Sequence, residues 1–169
     1  MNIKSLCLLG LGLLVVSAVP ATAQQSLGDL VTEYGYDWLI GKWATTTDEG
    51  QNVELDYKWG LDRHVILVDF KMGDFKYHGM IMFVPSREEV IQMGADNQGN
   101  LWNGTWGDDY SGAAHSMEST KSDGTKDKSE MVHTKVDSNT MKIGVYGTDS
   151  YGYRGQSRGT LDMKRQPKK

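Results

Sequence analysis

Val53-Glu54-Leu55-Asp56-Tyr57-Lys58-Trp59 alternates apolar and charged residues at every step. A period of two sends successive side chains to opposite faces of a β-strand, so this stretch has one greasy face and one wet face. The pattern extends on both sides of it. Gly60-Leu61-Asp62 turns the chain into the apolar run His64 to Phe70, and Met72-Gly73-Asp74 turns it again into Phe75 to Val84. Pro85-Ser86 interrupts the ladder, Glu89 to Ala95 resumes it, and Asn97-Gln98-Gly99-Asn100 is a hairpin signal before Leu101 to Trp106. Ala113 to Thr120, Lys128 to Val136, Met141 to Gly147 and Arg158 to Lys164 complete the series after the opening strand Gly41 to Thr47.

About nine or ten short strands joined by tight turns predict an all-β meander. An up-and-down sheet of that length has two bare edges unless it closes on itself, so a barrel of about 8–10 strands is favoured over an open sandwich. Gln24 to Tyr36 reads as a short helical segment, with Leu27, Leu30 and Val31 on one side, that caps one barrel end. The barrel domain itself is expected to span 37–166.

Ahead of that segment, residues 1–23 have a basic start at Lys4, an apolar run from Leu6 to Val19 and Ala21-Thr22-Ala23 before Gln24. This is the layout of a cleavable export signal, too short in its apolar core for a membrane span. The expected location is periplasmic or secreted. Cleavage after Ala23 would take the 169-residue chain to 146, a length that suits one core. The single cysteine, Cys7, lies in the signal, which excludes disulfides and cysteine-ligated metals from the processed chain. With 18 basic against 22 acidic residues there is no basis for a nucleic-acid partner.

Gly41-Lys42-Trp43, entered through Asp37-Trp38-Leu39-Ile40, resembles the Gly-x-Trp opening of lipocalin-like (calycin-type) barrels. It is also similar to a family of exported bacterial proteins of unknown function that open with Trp-Leu-x-Gly-x-Trp. The resemblance implies that Trp43 closes the barrel floor beneath a basic side chain from the last strand, for which Arg158 is the matching residue. It also implies a small apolar or amphipathic ligand inside the barrel.

The side chains expected to face such a ligand are Tyr57, Trp59, Ile66, Val68, Phe70, Trp102 and Tyr146. Small barrels either fill their interior with such groups or leave room for one ligand, and the sequence leaves both open. A packed interior would make the chain a non-catalytic accessory or interaction domain. Val65 to Val68 and Met80 to Val84 are apolar on both faces, which makes the N-terminal segment or a second copy of the chain, as in a homodimer, a candidate cover.

Catalysis ranks behind both readings. His64, His78, His115 and His133 show no metal-ligand spacing, and a reaction would require His64, His78 and Asp69 to converge. Asp108-Asp109 lacks the ordered ligand loop of a calcium site and reads as an acidic turn. Nothing in the sequence calls for a cofactor or metal. The loop from Asp149 to Ser157, with Tyr151, Tyr153 and Arg154, is a candidate lid or contact patch.

Overall fold

A computed structural model describes residues 25–149 and 151–167; the expected export signal lies outside them. Ten antiparallel strands close into a barrel, each paired with its sequence neighbours and β1 with β10. They are β1 (Gly41–Thr46), β2 (Asn52–Gly60), β3 (Val65–Met72), β4 (Phe75–Val84) and β5 (Glu89–Asp96). After these come β6 (Leu101–Asp109), β7 (Gly112–Thr120), β8 (Lys126–Lys135), β9 (Thr140–Thr148) and β10 (Arg154–Arg165). Closure leaves no free sheet edge.

The alternation sets the phase of every strand. Trp43 pairs with Leu55, Leu55 with Phe70 and Phe70 with Tyr77, so these residues share the inner face. Val53, Leu55, Tyr57, Ile66, Val68, Met141, Ile143 and Met163 form the buried core. Two interior glycines have a packing role. Gly79 and Gly94 face each other across β4 and β5, and a Cβ on Gly79 would lie 2.1 Å from the Tyr77 hydroxyl. The phenol therefore lies over the bare backbone of both.

One helix, α1 (Leu27–Glu33), precedes the barrel. Ser26 Oγ accepts from the Asp29 amide at 3.1 Å, and the Asp29 carboxylate accepts from the Ser26 amide at 2.9 Å. This reciprocal cap starts the helix, and Gly35 with φ of 71° follows its end. Arg63 holds α1 against the barrel, donating to the Gly28 carbonyl (3.1 Å), Thr32 Oγ1 (2.9 Å) and Asp37 Oδ1 (3.2 Å). It reaches them from Leu61-Asp62-Arg63, three consecutive non-glycine residues with positive φ. That conformation costs about 1–2 kcal/mol per residue and has to be offset by the contacts it enables.

Trp43 is covered by a different arginine from the one expected. Arg165, not Arg158, lies over the Trp43 ring, 4.1 Å from its centroid. β10 is twelve residues long and pairs with β1 only near its last residues, so register places Arg165 opposite Trp43. Arg165 also donates to the carbonyls of Ile40 (2.9 Å), Trp38 and Ser138 (3.1 Å), while Trp43 Nε1 donates to Leu39 O at 2.9 Å. Arg158 sits at a register irregularity in β10 and pairs with Asp127 at 2.9 Å on an exposed surface.

Candidate functional site

A cavity of about 650 Å³ opens at the barrel end that carries α1. Its barrel wall is Tyr57, Ile66, Ile81, Phe83, Val90 and Trp106, the inner-face residues at that end of β2 to β6. Leu27, Leu30 and Val31 of α1 close the other side, so the helical periodicity visible in the sequence serves this wall. The rim carries Glu33, Glu88 and Asp108 together with Tyr34, Tyr36 and Gln25. Tyr36 donates to Asp108 Oδ1 at 2.6 Å, and burial together with that carboxylate pushes its phenol pKa upward, so it stays protonated.

A polar cluster lies behind the wall. Trp106 Nε1 donates to Gln92 Oε1 at 2.9 Å, and Gln92 Nε2 donates to the Tyr77 hydroxyl at 3.0 Å. On the other side of the indole, His115 stacks on Trp106 with centroids 4.7 Å apart and planes within 2°, and His133 lies 5.0 Å away. Tyr57 and His133 Nε2 share a hydrogen bond of 3.1 Å. His115 Nε2 and His133 Nδ1 have no hydrogen-bond partner of ordinary geometry among the described residues.

Burial, helped by the neighbouring His133, pushes His115 down to about 3. Burial likewise pushes His133 down to about 4, with the Ala113 main chain pulling the other way. Both imidazoles are therefore neutral near pH 7 and act as flat packing groups that fix Trp106 and Tyr57 in the cavity wall.

Tyr57 and Ile66, two of the residues expected at a ligand, line this cavity. Trp59, Val68, Phe70 and Trp102 face inward elsewhere. Trp59 lies under the Arg63 guanidinium at 4.8 Å, and Val68 belongs to the packed core. Phe70 meets Phe75 edge-to-face at 6.0 Å, and Trp102 donates to Asp96 at 2.8 Å. Tyr146 is corrected: it points to the outside. The inner phase of β9 belongs to Met141, Ile143 and Val145, and Tyr146 instead lies under Arg154, 4.9 Å from its ring. Phe83, Val90 and Glu88 escaped the sequence reading, because their role depends on where α1 lands.

Other acidic and basic candidates are already engaged. Arg154 bridges Glu130 and Asp109 on the outer face, and Asp109, held also by Ser111, titrates down at about 2. Arg154 thus belongs to β10 rather than to a free loop. His78 Nδ1 lies 2.7 Å from Asp69 Oδ1, and Lys58 sits between Asp69 (3.2 Å) and Asp56 (3.4 Å). His64 follows the strained turn at the α1 end of the barrel, so the three groups that catalysis would need do not come together. Among the described residues, no group of three or more His, Cys, Asp or Glu is placed to hold a metal, and no helix is long and apolar enough to cross a membrane.

No family model matches the chain, and no curated protein matches it significantly.

Proposed function

We propose that this is an exported, lipocalin-like binding protein that shelters one small apolar or amphipathic molecule in the cavity beneath α1. The observation that carries this reading is the cavity itself. About 650 Å³ falls within the range of small-molecule sites, and a mainly apolar wall with a few polar groups at the rim is their usual make-up. The Trp43–Arg165 floor supports the lipocalin-like part, although ten strands exceed the eight of lipocalins. Export rests on the apolar leader pattern in residues 1–23.

The test is titration of the processed protein with N-phenyl-1-naphthylamine, a neutral dye that fluoresces in apolar surroundings. Saturable one-to-one uptake is expected, and Val90→Trp, which puts an indole into the cavity wall, should weaken it while thermal unfolding stays cooperative. Absence of saturable uptake, or uptake unaffected by Val90→Trp, refutes the reading.

A second reading has its own observation. Val65, Leu67, Met80, Met82, Ile91 and Met93 are cross-strand neighbours on the outer face of β3 to β5, with Met80 37% and Met93 48% exposed. An apolar outer patch of this kind favours an accessory role in which two copies of the chain pair through it. Light scattering of the protein and of Met80→Lys/Met93→Lys tests it, since a dimer that the substitutions split into monomers supports pairing and a wild-type monomer removes it.

A further inference from the structure

We propose that the cavity beneath α1 selects molecules with an apolar body and a cationic head, and disfavours fatty-acid-like anions. The inference rests on the binding reading above and concerns the charge of the occupant. Its first ground is the composition of the wall. Every charged residue among the described residues that line the cavity is acidic: Glu33 on α1, Glu88 between β4 and β5, and Asp108 at the end of β6. Among the described residues, no lysine, arginine or histidine belongs to the lining.

The nearby cations are committed elsewhere. Arg63 is spent on α1 and Asp37, and Arg87 pairs with Glu89 at 3.4 Å. Asp108 receives the Tyr36 hydroxyl and Glu33 receives Gln25 Nε2 at 3.1 Å; both partners are neutral, so neither hydrogen bond pairs the carboxylate with a cation. Glu88 has no salt-bridge partner among the described residues. It is held at the rim by a positive φ of 53° at the end of a one-turn helix.

The second ground is the layout. The carboxylates belong to three separate elements around the rim, while the depth of the cavity is Ile66, Ile81, Phe83, Val90 and Trp106. A single-chain amphiphile would bury its tail among those side chains and leave its head between the carboxylates. A carboxylate head placed there would meet three like charges with no counter-ion among the described residues of the lining, whereas an ammonium would meet complementary charge.

The experiment compares three probes with one tail length, decyltrimethylammonium, decanol and decanoate, each below its micelle threshold at pH 7.5, by calorimetry on the processed protein. The expected order is ammonium, then alcohol, then carboxylate, with the first bound at least tenfold more tightly than the last. In Glu33→Gln/Glu88→Gln/Asp108→Asn that ratio should collapse towards one, with decyltrimethylammonium losing more affinity than decanol. About 0.5 M salt should shrink the ratio in the wild type, because partly exposed charges are screened.

Decanoate binding as tightly as decyltrimethylammonium, or a ratio unmoved by the triple substitution, overturns the inference. If decanol enters and the head group makes no difference, the charge inference alone falls. If none of the three probes enters and N-phenyl-1-naphthylamine is also refused, the binding reading falls and takes this one with it.

Discussion

His115 and His133 should make the fold acid-labile at pH values where carboxylates are still ionised. Both rings are buried, Trp106 packs on both and Tyr57 on His133, and among the described residues no carboxylate hydrogen-bonds to either. Burial lowers them from the ordinary 6.5 to about 3 and about 4 in the folded chain. The unfolded chain takes up both protons as pH falls through 6.5, while the native chain refuses them until about 4. Between those limits the unfolded state holds two more protons, so stability must fall as pH falls. Two protons correspond to about 2.7 kcal/mol per pH unit, or about 5 kcal/mol between pH 7.5 and 4.5. That is comparable to the whole stability of many domains of this size. Urea unfolding followed by far-UV circular dichroism at unit pH steps measures it. His115→Phe should halve the slope, and His115→Phe/His133→Gln should nearly remove it, since glutamine keeps a hydrogen-bonding partner for Tyr57. Carboxylates held low, such as Asp109 at about 2, begin to cost stability only as pH approaches the unfolded carboxylate range at about 4, so they add to the loss at the acid end of this window and leave its slope above about pH 5.5 to the histidines. A wild-type stability that is flat from pH 7.5 to 4.5, or a double variant with the full slope, refutes the argument.

Arg165→Met should cost about 2–4 kcal/mol, because it strips three main-chain carbonyls of their donor and uncovers Trp43, and chemical denaturation reads the loss. Arg158→Met removes an exposed pair with Asp127 and should cost less than about 1 kcal/mol in the same assay. Gly94→Ala would bring a methyl within 2.3 Å of the His78 carbonyl and 2.6 Å of the Tyr77 hydroxyl, so a fall in melting temperature is expected at a site where a surface Gly→Ala change would be mild. Arg63→Met should raise amide hydrogen exchange through Leu27–Glu33 while the strands stay protected, since Arg63 makes three hydrogen bonds to α1 and the Asp37 that follows it. Unchanged exchange there would show that apolar packing alone holds the helix.

Period-two alternation made the barrel legible, and the run Phe75 to Val84 matches β4 residue for residue. Phase was legible too where an apolar triplet fixes it. Met141, Ile143 and Val145 define the inside of β9, and applying the same count to Tyr146 would have sent it outward. The partner of Trp43 was not legible in that way. The last strand offers Arg158, Lys164 and Arg165, and choosing among them needs the stagger between the first and last strands, a long-range quantity that local pattern does not contain. The cavity wall is similar in kind. Val90 and Phe83 read as ordinary strand residues until α1 is placed over them by an arginine in a strained turn.

The histidines connect stability to the cavity. An apolar pair at 115 and 133 would pack against Trp106 without leaving two imidazole nitrogens unpartnered, and each such orphan costs about 1–3 kcal/mol. Tyr57 and Trp106 both line the cavity and touch this pair. The imidazoles therefore give the wall flat faces at a set spacing, with a hydrogen bond that fixes the tilt of the Tyr57 ring. Branched aliphatic side chains of similar volume lack that geometry. On this argument the polar interior shapes the site, and the stability lost to it is the acid sensitivity worked out above.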